Sequence, residues 1–97
     1  MKPIQDQPFT MCGRVVVRRI GTDTLLVPVS GPAAGGRVFP VNPSAECIWK
    51  CLSTGGTPAE AAARLRERFE VGESEALSDC VDCARQLLDQ QLIQEVC

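Results

Sequence analysis

The sequence predicts an α+β domain, a three-stranded antiparallel sheet followed by a three-helix bundle. Three observations carry this. Between Arg14 and Asn42 the apolar residues are largely β-branched and come in short runs separated by turn signals. From Asn42 onward they recur at three- and four-residue spacing, the period of a helix. The length, 97 residues, suits one domain with one modest core. Only 4% of the residues are aromatic, so Leu, Val, Ile and Ala must fill that core.

Residues 1–11 are polar and contain proline, which predicts a flexible N-terminal tail and leaves 12–97 as the folded domain. RVVVRRI (14–20) is the first extended run. TLLVPV (24–29) follows after the turn signal Gly21-Thr22-Asp23. SGPAAGG (30–36) is a flexible turn, and RVFPVN (37–42) is the third run. Three short strands joined in this way form a meander. Pro28 and Pro40 cannot donate to a ladder, so each belongs at an edge, a strand end or a bulge. Alternation puts Phe39 and Val41 on one face and Val38 and Pro40 on the other.

Asn42 is a good N-cap, and Pro43 suits the first helical position. Ala45, Ile48, Trp49 and Leu52 make one apolar stripe, and the Ser53–Gly56 segment ends the helix. Thr57-Pro58-Ala59-Glu60 has the form of a capping box, and the helix it opens runs to about Glu70. Ala61, Ala62, Leu65 and Phe69 are its buried side, and Arg64, Arg66 and Arg68 its solvated side. The third helix runs from about Ser74 to about Gln90. Leu77, Val81, Ala84 and Leu88 form its core stripe, with Ala76, Cys80, Cys83 and Leu87 as a second stripe beside it. Together they are wider than a single packing contact requires. Leu92-Ile93 and Val96 close the chain as a short apolar segment. The small sheet is expected to pack on the helices in a winged-helix-like arrangement.

Composition narrows the function. The formal net charge of −2 argues against a general nucleic-acid binder. No apolar run is long enough to span a membrane, and the first residues carry no apolar signal core, so a cytoplasmic protein is expected. There is no histidine, no nucleophile–base pair, and SGPAAGG does not match a phosphate-binding loop. Neither a catalytic site nor a cofactor is expected.

The ordered set of segments LLVPVSG (25–31), VNPSAECIW (41–49), GGTPAEAAARLRERFEV (55–71) and DCVDCARQLLDQQLI (79–93) resembles the PqqD family. That family comprises small peptide chaperones of pyrroloquinoline quinone (PQQ) biosynthesis and the related recognition elements for ribosomally made peptides. Val41-Asn42 stands where the family usually has Leu-Asn, and Ile48-Trp49 matches its Ile-Trp. The resemblance implies a non-catalytic adaptor. It binds the leader of a precursor peptide as an added strand and presents it to a modifying enzyme, a radical S-adenosylmethionine (SAM) enzyme in the quinone pathway. Carried over by position, Arg37, Val38, Phe39 and Val41 meet the peptide, and Leu77, Cys80, Cys83 and Leu87 line the cleft. Pro40 departs from an ideal edge, so either the peptide's register changes there or the strand bulges. An unoccupied edge can also pair with a second copy and give a homodimer.

Two alternatives stay open. Strands and helices in this order also build winged-helix DNA-binding regulators, although the third helix carries Glu73, Glu75, Asp79, Asp82 and Asp89 against one Arg85. The other is a small metal or redox protein. Cys47/Cys51 and Cys80/Cys83 are two helical pairs of soft ligands, but zinc sites favour tight turns and these pairs fall mid-helix, so no metal is assigned. A disulfide within Cys47/Cys51 is disfavoured, because i,i+4 Cβ atoms lie roughly 5–6 Å apart and the bond needs about 4 Å. Cys12 and Cys97, near the termini, are expected to cross-link copies on air oxidation.

Overall fold

The computed structural model describes residues 2–96. In chain order the elements are β1 (Phe9–Met11), β2 (Arg14–Ile20), β3 (Asp23–Ser30), β4 (Phe39–Val41), α1 (Pro43–Leu52), α2 (Pro58–Arg68), α3 (Glu73–Asp89) and β5 (Ile93–Glu95). The class is α+β, with a three-stranded antiparallel sheet β2-β3-β4 and three helices. A plain strands-then-helices order does not describe the chain, because β5 follows α3 and pairs with β1 in a second, two-stranded sheet. Cys97 lies outside the described residues.

The β2–β3 hairpin turns on two residues. Gly21 takes φ +63°, a left-handed value that only glycine adopts cheaply. Ile20 therefore faces Asp23, and pairing runs back to Val16↔Val27 and Val15↔Pro28, with a register shift between Arg14 and Val15. The third run is shorter than the sequence predicts. Only Phe39–Val41 pairs, opposite Leu26–Thr24, and without a register shift, so β4 does not bulge at Pro40.

The helix starts follow their capping chemistry. Asn42 Oδ1 accepts the Ala45 N–H at 2.8 Å, with Pro43 in the first turn. The capping box is reciprocal: Glu60 N–H donates to Thr57 Oγ1 at 3.1 Å, and Thr57 N–H donates to Glu60 Oε1 at 2.9 Å. Helix α2 stops at Arg68 because Phe69 turns extended and packs its ring against the core. After α3, Gln91 (φ +61°) reverses the chain into β5.

The core gathers one face of the large sheet, most of α1, the inner faces of α2 and α3, and the small sheet. Ile48, Trp49, Leu52 and Leu65 are buried there, as the apolar stripes predict, and Leu26 of β3 joins them. Residues 1–11, expected as a tail, are corrected: Ile4–Asp6 forms a short 3-10 helix with Ile4 packed against the core, and β1 follows it. Phe9 is fully buried, its N–H donates to the Gly56 carbonyl at 2.9 Å, and it pairs across to Glu95. Cys47 and Cys51 are buried as well, so α1 has no open side there. Glu46, also buried, is held by Arg19 and, at 3.7 Å, by Lys50. Arg19 also donates to Thr24 Oγ1 at 3.2 Å, which ties the end of the hairpin to α1. Among the described residues no helix is long and apolar enough to cross a membrane.

Candidate functional site: the β4 edge and its groove

Among the described residues β4 pairs with β3 alone, so one side of β4 is open. The register fixes which backbone groups lie on that side. A two-residue hairpin requires Ile20 and Asp23 to exchange their bonds, and backbone groups alternate sides along a strand. Leu25 and Val27 therefore address β2, while Thr24 and Leu26 address β4. Their partners Val41 and Phe39 bond inward to β3. Pro40, between them, faces outward with a carbonyl and no N–H. The same alternation turns the backbone groups of Val38 and the N–H of Asn42 outward. Pro28 also falls in a harmless place, because its missing N–H would point away from β2 and past the end of β4.

Beside this edge lies a groove of about 290 Å³ between β4 and the C-terminal half of α3. Phe39 and Val41 wall it on the strand side, Cys83, Gln86 and Leu87 on the helix side, and Leu26 and Leu92 lie in its lining. Arg37 closes one end. Its Nη2 donates to Gln90 Oε1 at 3.0 Å, and its guanidinium carbon lies 5.0 Å from the Phe39 ring centroid, a cation–π distance. A more polar hollow of about 380 Å³ continues along α3, shares Ala45, Cys83 and Gln86, and is rimmed by Asp79 and Asp82. A larger hollow of about 610 Å³ at the Asn42 end of β4 is built around the Arg19–Glu46 pair and Arg68.

The eight residues expected at the site do not all meet. Arg37, Phe39, Val41, Cys83 and Leu87 lie on or at the mouth of the groove. Val38 is 51% exposed and faces away with Pro40. Cys80 is fully buried in the core, and Leu77 lies over a separate hollow of about 170 Å³ against Ala62 and Arg66 of α2. The two α3 stripes are thus partly exchanged. Ala76, Cys80 and Ala84 are the innermost residues, while Leu77, Val81 and Leu88 are only half-buried. Gln86, Gln90 and Leu92 were not expected at the site. The first two follow Cys83 at helical spacing, which is the signal that places them.

Burial raises three of the thiols, Cys51, Cys80 and Cys83. Burial pushes Cys80 up to about 12, with the neighbouring charges of Cys83, Asp79, Cys47 and Cys51 adding to it. Burial alone pushes Cys83 up to about 11, and burial also raises Cys51. Among the described residues no group of three or more Cys, Asp or Glu is placed to hold a metal ion, and the five described cysteines are free.

The sequence profile described as Coenzyme PQQ synthesis protein D (PqqD) matches residues 23–93 of the 97. The chain belongs to the PqqD family. No curated protein and no solved structure matches the chain. The PqqD match begins at β3 and ends at β5, so it includes the β4 edge, α3 and the groove, and leaves β1 and β2 outside. At the level of the family, membership supports a peptide-binding role related to PQQ biosynthesis, in a non-catalytic accessory family.

Proposed function

We propose that this protein is a non-catalytic peptide chaperone that binds the leader of a ribosomally made precursor as a strand added to β4. It acts in the cytoplasm and presents the bound precursor to a modifying enzyme of the radical SAM class, as in PQQ biosynthesis. The observation that carries this reading is the coincidence of an open sheet edge with an apolar groove along the same strand. Edge groups supply affinity through main-chain bonds, and the groove supplies selectivity for alternate side chains. The peptide-facing residues on this reading are Arg37, Val38, Phe39, Val41, Cys83 and Leu87. Neither alternative gains support. The exposed side of α3 is acidic, which would repel a duplex, and of its two thiols Cys80 is buried in the core while Cys83 faces the groove, so the pair does not converge on one site.

The test is an NMR titration of the isotope-labelled, reduced protein with the N-terminal halves of short peptides encoded beside its gene. The expected result is shift changes concentrated at 37–42 and at 83–90. A precursor that is modified in the same pathway yet leaves those signals unmoved at high micromolar concentration would remove the reading.

A further inference from the structure

We infer that the bound peptide carries two apolar side chains two residues apart, separated by a residue that is not proline and whose N–H bonds the Pro40 carbonyl. This rests on the strand-addition reading above and specifies its ligand. Pro40 is the outward-facing residue of β4, since Phe39 and Val41 are bonded to β3. An antiparallel strand laid on this edge must therefore place one residue opposite Pro40. That residue donates its N–H to the Pro40 carbonyl, and its own carbonyl finds no donor on β4. Its side chain shares the outer face with Pro40. The residues before and after it stand opposite Val41 and Phe39 and share their face, so both side chains enter the groove against Cys83 and Leu87.

Main-chain and side-chain anchors thus alternate along the peptide. The two groove-filling residues have N–H groups that point away from β4, so binding makes no demand on them. The groove of about 290 Å³ lies at the small end of ligand pockets (about 300–1,000 Å³), a size for two aliphatic side chains. Because Pro40 offers no donor, full two-bond pairing is available only one step away, at Val38. Any non-proline residue can meet Pro40 equally well, so register is set by the two groove-filling side chains.

The test uses N-acetylated, C-amidated eight-residue peptides of serine and glycine that carry two leucines, with the full-length reduced protein observed by NMR. Leucines at i and i+2 are expected to bind at least tenfold more tightly than leucines at i,i+1 or i,i+3. N-methylation of the residue between them should weaken binding at least tenfold. N-methylation of either leucine should change it less than twofold. Pro40→Ala, which restores an edge N–H at an exposed position, should tighten binding several-fold. Binding at Phe39, Val41, Cys83 and Leu87 that ignores leucine spacing, or that responds equally to methylation at every position, overturns this inference and leaves the chaperone reading intact. No perturbation of those residues by any of these peptides up to millimolar concentration also overturns this inference, while the chaperone reading is decided by the precursor titration above.

Discussion

The Cys80 thiol sits in the core, where its charged form is expensive. Its pKa, raised to about 12 by burial first and by neighbouring charges second, makes stability depend on pH in a definite direction. A thiol is charged only after losing its proton. The folded chain keeps the proton that the unfolded chain gives up above its ordinary value of 9.0. Below that value Cys80 adds no pH dependence. Above it the unfolded state gains, and stability falls until about pH 12. Each such thiol contributes about 1.4 kcal/mol per pH unit in its window. Cys83, raised to about 11, acts over the lower part of the same range. Urea midpoints of the reduced protein are expected to fall increasingly above pH 9, and less steeply in Cys80→Ala. Equal slopes in the two proteins would sink the assignment. Cys80 also shows what the sequence leaves open. Two apolar stripes lie side by side on α3, and the bulkier one, with Leu77 and Leu88, looks the better core. Packing chose the smaller residues instead. Ala76, Cys80 and Ala84 are the innermost, and the leucines were left half-covered. Periodicity reveals that a face is apolar, but which part of it meets a neighbour depends on the neighbour.

At the scale of elements, legibility follows the range of the signal. Helices α1 and α2 begin where Asn42-Pro43 and the Thr57–Glu60 box place them, because capping is a contact between residues three apart. The β2–β3 hairpin is equally local, since Gly21 and Thr22 suffice to turn it. Strand β1 has no such signal. Three residues are too few to show alternation, the preceding residues are polar, and the partner strand β5 lies at the other end of the chain. A lone Phe9 in a polar stretch reads as a tail, yet it fills the core beside α1 and bonds to Gly56. The groove was legible on the strand side, where parity puts Phe39 and Val41 together. It was half legible on the helix side, where Cys83 and Leu87 belong and Cys80 does not. Phe9→Ala is expected to destabilise the protein by about 3–5 kcal/mol, the usual loss for a buried phenylalanine, by urea denaturation. The same variant, under conditions where it stays folded, should bind the leader with unchanged Kd, because β1 does not line the groove. A stability change below about 1 kcal/mol would return residues 1–11 to the status of a tail.

For the whole molecule the question is how a three-stranded sheet whose two edges are open among the described residues avoids pairing with itself. The β2 edge is long, but it carries Arg14 and Arg18, both exposed and without an ion-pair partner among the described residues. Two copies meeting there would bring like charges together, a recognised guard against edge-to-edge association. The β4 edge has a different guard. It is three residues long and lacks the donor at Pro40, so a symmetric pairing centred there loses bonds on both strands. On the strand-addition reading, a peptide with groove-filling side chains would recover in apolar contact what the edge lacks in donors. A second copy of β4 would have to place its own Phe39 and Val41 there, and those are already packed against its core. The reduced protein is therefore expected to sediment as a monomer at tens of micromolar. Any dimer seen at higher concentration should dissociate as leader is added, because partner and leader would compete for β4. Sedimentation velocity across a concentration series, with and without saturating leader and with reductant throughout, checks both points. A dimer already complete at low micromolar and untouched by leader would move self-association off β4. It would direct attention to the outer face of the sheet, where Ile20 is 64% exposed and Val29 is 52% exposed.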